Sequence, residues 1–297
     1  MNKLKALSGI MRLPFLALTP ACVLVGVCTA AWTGAHVDGL QVALLLVGAI
    51  CAHISVNAFN EYFDFKSGLD AQTRRTPFSG GSGTLQAHPD MARTALVTAW
   101  AAFTITALTG LYFVILRGPA ILPLGLVGLF LLYAYTPWLT RNPLLCLVAP
   151  GLGFGPLMVM SVHFALTGAY SWTAFAASLV PFFLVSDLLL LNQFPDVDAD
   201  RQVGRRHFPI LIGRKASSLI YGAFLAGAYL TIILGVALKL LPAFSLLGLL
   251  GMVFAVPSGM KAFRYSDDIG RLTPSLGMNV LLNLATPVLV GIGLFIK

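Results

Sequence analysis

Charge is scarce in this chain. Of 297 residues only 10% are charged and eleven are acidic, while 58% are hydrophobic and the mean hydropathy is +0.86. A soluble globular domain carries about 25% charged residues on its surface, so that class is excluded. Cysteine is equally sparse. Cys22, Cys28, Cys51 and Cys146 fall inside apolar runs without metal-type spacing, which excludes a thiolate metal site and leaves them as small buried apolar residues. No polar stretch is long enough for an independent soluble domain. The first apolar stretch is too long, and too closely followed by others, for a cleaved signal peptide, and no targeting segment is expected. The net charge of +8 needs no nucleic-acid partner, because membrane topology and an anionic ligand account for it.

What the chain does have is a series of apolar windows of the length that crosses a hydrocarbon core of about 30 Å. Nine spans are expected, near 13–34, 40–64, 91–116, 120–138, 143–167, 172–195, 216–238, 242–264 and 273–296. The expected fold is thus an all-α polytopic membrane bundle forming one domain over residues 1–297. If the nine alternate, 16 of the 19 Lys and Arg fall on one side, and only Arg117, Lys239 and Lys297 on the other. The positive-inside rule then puts the N-terminus in the cytoplasm and the C-terminus outside an inner or plasma membrane.

The few acids are concentrated. Six of the eleven lie in two segments, Asn57 to Asp70 and Asn192 to Asp200. Carboxylates attached to membrane-grade apolar runs are expensive to desolvate, so their concentration in two places marks use. The segments end the second and sixth spans, and equal parity brings both to the cytoplasmic face. Asn57, Asn60, Glu61 and Asp64 stand at i, i+3, i+4 and i+7 on one helical face. Asp70 can fold back once Gly68 turns the chain. In the second segment Asn192, Asp196 and Asp200 repeat every four residues, with Asp198 pointing away, and Pro195 kinks the helix or restarts it just before Asp196. Oxygen ligands without His or Cys favour Mg2+ over zinc. The expected metal set is Asn60, Asp64, Asp70, Asp196 and Asp200. A merely solvated acidic helix end would leave the second cluster at the same level unexplained.

Basic residues surround these acids. Carboxylate-held magnesium with nearby guanidinium groups is the set of parts that clamps a diphosphate, and Arg75, Arg141 and Arg201 are the expected anion ligands. A phosphate group beside lipid implies an amphiphilic substrate. The loop Thr73 to Leu85, rich in Gly and Ser, can present backbone N–H groups to an anion or close over the pocket as a lid.

Asn60-Glu61-x-x-Asp64-x5-Asp70 and Asp196-x-Asp198-x-Asp200, the latter followed by Arg201, Gly204 and Gly213-Arg214-Lys215, resemble the two aspartate motifs of the UbiA superfamily of intramembrane prenyltransferases. The resemblance covers essentially the whole chain. It departs at Glu61, where the family usually has Asp; the longer carboxylate can reach a metal or a basic partner. The Asp64-to-Asp70 interval and the Arg-Thr-Pro-Phe-Ser-Gly-Gly-Ser-Gly loop look most like the 1,4-dihydroxy-2-naphthoate branch of quinone biosynthesis. The resemblance implies Mg2+-dependent transfer of a polyprenyl group from its diphosphate to an aromatic acceptor in the lipid bilayer. Asp64, Asp196 and Asp200 would be catalytic, with Tyr62, Tyr133, Tyr135 and Trp138 as candidates to face the allylic cation.

Asp187 sits about 13 Å deeper than Asp196 at 1.5 Å per residue. With Asn57 and Asn192 it is a candidate for the acceptor pocket, as a proton acceptor or a shaping group, with a backbone-bonded structural acid as the alternative. His53 and His163 read as helix-packing residues. Competing classes are a secondary transporter, which would place its acids at the bilayer midplane in broken helices, a phosphatidyl-group transferase, whose compact single-helix motif is absent, and a non-enzymatic scaffold.

Overall fold

The computed structural model describes residues 3–69, 73 and 75–296, and over these the regular structure is all helical. The elements are α1 (Lys3–Met11), α2 (Leu13–Trp32), α3 (Gly39–Ser67), α4 (Thr84–Ala87), α5 (Pro89–Arg117), α6 (Pro119–Ala134), α7 (Pro143–Thr167), α8 (Trp172–Asn192), α9 (Val197–Gln202), α10 (Phe208–Leu211), α11 (Gly213–Ala237), α12 (Ala243–Arg264) and α13 (Ile269–Phe295). Among the described residues eight helices, α2, α3, α5, α7, α8, α11, α12 and α13, are long and apolar enough to cross a membrane; α6 is a shorter apolar helix. Nine spans were expected; the fourth, near 120–138, corresponds to this shorter helix.

Local chemistry sets the helix limits. Asp38 caps α3 by accepting from the Gln41 N–H at 2.8 Å, Ser171 caps α8 through Thr173 at 3.1 Å, and Asp268 caps α13 through Arg271 at 3.1 Å. At the far end of α3, Gly68 takes φ 74°, a left-handed conformation that suits glycine and stops the helix. The α7 span carries Pro150 and Pro156, and Gly153–Leu157, which contains Pro156, widens into a π-turn that absorbs the hydrogen bonds proline cannot donate.

The most deeply buried span is α8, which packs against α7, α11 and α13, while α13 also packs on α2 and α12. Close approach of α7 and α8 depends on absent side chains. A Cβ at Gly151 would fall 2.2 Å from the Phe182 carbonyl oxygen, and one at Gly155 2.5 Å from that of Ser178. The pair α3–α5 forms the other side of the bundle, backed by an aromatic cluster of Phe59, Phe63, Trp100 and Tyr133. Leu108, Ile115, Leu219, Leu230 and Val253 point outward. An apolar exterior of this kind suits a bilayer rather than water. Between α3, α5, α6, α7 and the end of α8 the packing leaves a gap, and that gap positions the site.

Candidate active site

The gap is a cavity of about 570 Å³, within the usual range for ligand pockets. Its lining divides sharply. At one end stand Arg12, Asn57, Asn60, Asp64, Ser79, Gly80, Gly81, Asn192, Gln193, Asp196, Asp200, Arg205 and His207. The rest is mainly apolar, broken by His53, Thr106, Thr109 and Ser161, and runs along α3 as far as Leu45 and along α6 as far as Ile121. From Asp64 to Leu45 on one helix is roughly 28 Å at 1.5 Å per residue. A polar head chamber thus opens into an apolar tunnel.

The two acid segments meet as their spacing predicts. Asp64 ends α3 and Asp200 lies on α9, and both carboxylates pair with Arg205: Nη2 with Asp64 Oδ1, and Nη1 with Asp200 Oδ1 at 2.9 Å. The other Asp200 oxygen faces His207 Nε2 at 2.8 Å. The helix does restart beyond Pro195. Asp196 stands immediately before α9, its carbonyl accepts from Asp200 N–H at 2.9 Å, and Asp198 projects outward with its side chain 81% exposed.

Electrostatics separates these groups. The Asp196 carboxyl is pushed up to about 7, first by burial and then by the neighbouring charge of Asp200, with Arg205, Ser79 and the Gly80 backbone pulling the other way. For Arg205 burial disfavours the charge, but Asp64 and Asp200 outweigh it and raise its pKa, so the guanidinium stays protonated.

Glu61 has a different task. It is fully buried and accepts from Arg12 Nε at 2.8 Å, from Ser82 N–H at 2.9 Å and, on its other oxygen, from Ser82 Oγ at 2.7 Å. The basic partner, rather than a metal, explains the longer carboxylate at this position. One side chain thereby fastens the segment before α2 and the Gly/Ser loop to α3. Arg12 holds a left-handed backbone, φ 53°, unusual for a residue with a Cβ, and also donates Nη2 to Asn60 Oδ1 at 2.8 Å. Within the loop, Thr76 Oγ1 accepts from the backbone of Phe78 and Ser79 at 3.2 and 3.0 Å, a turn that aims Ser79, Gly80 and Gly81 at the cavity.

Several expected residues lie elsewhere. Arg75 is absent from the lining because its Nη2 donates to Gln86 Oε1 at 2.7 Å, across the space that a side chain at Gly83 would fill. Arg141 and Arg201 are exposed; Arg201 follows Asp200 on α9, and adjacent helical positions point about 100° apart, so both cannot face the cavity. Among the described residues the guanidinium groups that line the cavity are those of Arg12 and Arg205. Asp187 is fully buried but outside the lining, with neither carboxylate oxygen hydrogen-bonded among the described residues, while its carbonyl accepts from Asn279 Nδ2 at 3.3 Å. Asn57 and Asn192 do line the cavity, Asn57 donating to the Met11 carbonyl at 3.0 Å. Asp70 and Arg74 lie outside the described residues. Of the aromatic candidates Tyr135 lines the cavity, whereas Tyr133 packs on Phe59 and Trp138. His53 and His163 are satisfied by Thr19 and Thr29 at 2.8 and 3.1 Å.

Arg205 and His207 were missed as site residues, although Gly204 gave a signal. At φ 78° it reverses the chain after α9, so that Arg205 N–H returns to the Asp200 carbonyl at 3.1 Å.

A divalent cation fits this donor set. Asn192 Oδ1 and Asp196 Oδ1 are buried oxygens without a hydrogen-bond partner among the described residues, both in the cavity wall, and the other donors are hard oxygens. No three His, Cys, Asp or Glu residues among those described already stand close enough to hold a metal, and Arg205 lies between two of the carboxylates.

The family model described as "UbiA prenyltransferase family" matches residues 19–271. A 1,4-dihydroxy-2-naphthoate octaprenyltransferase of Bacillus subtilis is 29% identical over 66% of this chain and 63% of its own, so the match spans less than two thirds of that protein. The Escherichia coli protein of the same name is 27% identical over 97% of this chain and 94% of its own. Among solved structures, a UbiA homolog from Aeropyrum pernix K1 superposes with TM-score 0.72 at 20% identity, covering 95% of this chain and 97% of that one. One from Archaeoglobus fulgidus bound to DMAPP and Mg2+ gives 0.62 at 13% identity over 97% and 98%. At these identities the superpositions show the fold alone.

Proposed function

The chain belongs to the UbiA prenyltransferase family, an integral membrane enzyme that transfers prenyl groups, and from that premise we propose that it moves a polyprenyl group from a polyprenyl diphosphate to a naphthoate-type aromatic acceptor. The observation that carries this reading is the joining of both acid segments by Arg205 at the mouth of an apolar tunnel. A charged head and a long apolar tail are what such a chamber accommodates.

The residues divide the work. Asp64, Asp196 and Asp200, with Asn60 and Asn192, would hold Mg2+, and Asp70 belongs to the same proposed set. Bound there, the cation would supply Lewis-acid stabilisation of the departing diphosphate. Arg205 and Arg12 neutralise the negative charge that accumulates as the allylic C–O bond breaks. The loop at Ser79 to Gly81 presents backbone N–H groups from the same side. Apolar walls on α3 and α6 keep water from the electrophilic carbon, which forms its new bond to a ring carbon of the acceptor as that ring loses a proton. Tyr135 offers an aromatic wall near the breaking bond.

The naphthoate acceptor, and with it a place in menaquinone-type synthesis, is supported by the names of the relatives and by the loop sequence. A single domain with the N-terminus cytoplasmic and the C-terminus external is supported by the charge distribution. Nine crossings are supported by geometry: Asp64, in the last turn of α3, and Asp200, which follows α8, stand at one end of the bundle, and alternating helices bring them there only if α6 also returns the chain across the membrane. A transporter would hold its acids at mid-depth, whereas these lie where two spans end.

Purified protein in nanodiscs with Mg2+ and labelled polyprenyl diphosphates tests the acceptor. Prenylation of 1,4-dihydroxy-2-naphthoate in preference to 4-hydroxybenzoate is expected; the reverse preference would overturn the naphthoate assignment.

A further inference from the structure

The oxygen donors at the head of the cavity fall into two groups. Asn192 Oδ1 and Asp196 Oδ1 have no hydrogen-bond partner among the described residues. The facing pair is engaged: Asp64 by one nitrogen of Arg205, Asp200 by the other nitrogen at 2.9 Å and by His207 at 2.8 Å. These side chains are nearly dry, with Asp64 8%, Asp200 3% and Arg205 18% exposed. Two carboxylates delivered by separate helices into so little water repel unless a cation stands between them. The guanidinium occupies that place.

We propose that Arg205 is a positioning residue that stands in for the divalent cation, holding Asp64 and Asp200 in register and yielding their oxygens when the cation binds. The proposal rests on the cation site assigned above. A guanidinium carries one charge against the two carboxylates it touches, so it neutralises the site only in part. Its planar fork cannot reproduce the near-octahedral shell that Mg2+ demands. The backbone of Arg205 is pinned by the turn at Gly204 and its N–H bond to Asp200. Only the side chain has to swing, and its two freed nitrogens form the pair that grips a phosphate bidentately. Arg205 therefore competes with the cation for the same oxygens while keeping the site assembled without it.

Mn2+ is the probe. Free Mn2+ is followed by electron paramagnetic resonance as detergent-purified protein is titrated without any diphosphate. Arg205→Gln removes the competitor and is expected to bind Mn2+ about tenfold more tightly than the parent, a coupling of ordinary size, while its metal-free form melts earlier and regains that loss when Mn2+ is added. Arg205→Lys keeps a charge but not the fork, and is expected to fold and to fall between the two; if the Gln variant does not fold, this shift decides. Equal or weaker Mn2+ affinity in a folded variant overturns the role of Arg205 and leaves the cation site standing. Absence of Mn2+ binding in the parent and both variants overturns the proposal together with the site.

Discussion

Glu61 illustrates what one methylene does in a dry place. An aspartate there would stop short of Arg12 and Ser82, which Glu61 reaches with four polar contacts of 2.7–2.9 Å. Because the carboxylate is fully buried, removing it takes a counter-ion from Arg12 and two contacts from Ser82, a loss on the order of 3 kcal/mol. Glu61→Ala is accordingly expected to lower the apparent Tm of the detergent-purified protein by roughly 5 °C, read by intrinsic fluorescence; an unchanged Tm would remove Glu61 as the fastener of the loop. Asp187 makes the opposite case. Its carboxylate is buried without a hydrogen-bond partner among the described residues and does not line the cavity, so Asp187→Asn is expected to keep kcat/KM within about threefold and not to lower the Tm, since it removes a desolvation cost. A large loss of kcat with KM unchanged would return Asp187 to the chemistry. Sequence alone placed both residues in a polar site; only the packing around each distinguishes a fastener from a solitary buried acid.

At the scale of elements, parity and periodicity carried the argument well. The ends of α3 and α8 converge, α9 restarts beyond Pro195, and Asp198 turns outward as the four-residue repeat of Asn192, Asp196 and Asp200 required. The arginines were less legible. Charge clustering marks a face but not a side chain's direction, and Arg75, Arg141 and Arg201 are turned away by a local hydrogen bond or by their helical position, whereas Arg205 depends on one glycine turn. The tunnel was not legible at all, because a gap is a property of how helices fail to pack. Gly128 on α6 belongs to it: a Cβ there meets nothing within 4 Å, about 10 Å along the helix from Tyr135. Gly128→Phe is expected to fill the tunnel without disturbing the head chamber, so that kcat/KM falls about tenfold for long polyprenyl diphosphates and little for geranyl diphosphate. Equal losses for both donors would show that the chain runs elsewhere.

Over the whole molecule, the scarcity of charge and the apolar exterior follow from one solvent, the bilayer, and the exceptions to that scarcity locate the function. Composition fixed the class and the spacing of two short segments fixed the site's end of the bundle. What the composition could not convey is that the two segments are held in register by a cation of the chain's own. The central claim is that Asp64, Asp196 and Asp200, contributed by distant parts of the chain, form one metal-dependent prenyl-transfer site. The most direct measurement is product formation from a labelled polyprenyl diphosphate and the naphthoate acceptor, with Mg2+ or with EDTA, for the parent and for Asp64→Ala, Asp196→Ala and Asp200→Ala purified as folded proteins. The expected result is a loss of at least about 100-fold in each variant and in EDTA, with no further loss when two substitutions are combined, as for residues acting as a unit; full turnover in EDTA, or in any one of the three folded variants, would contradict it.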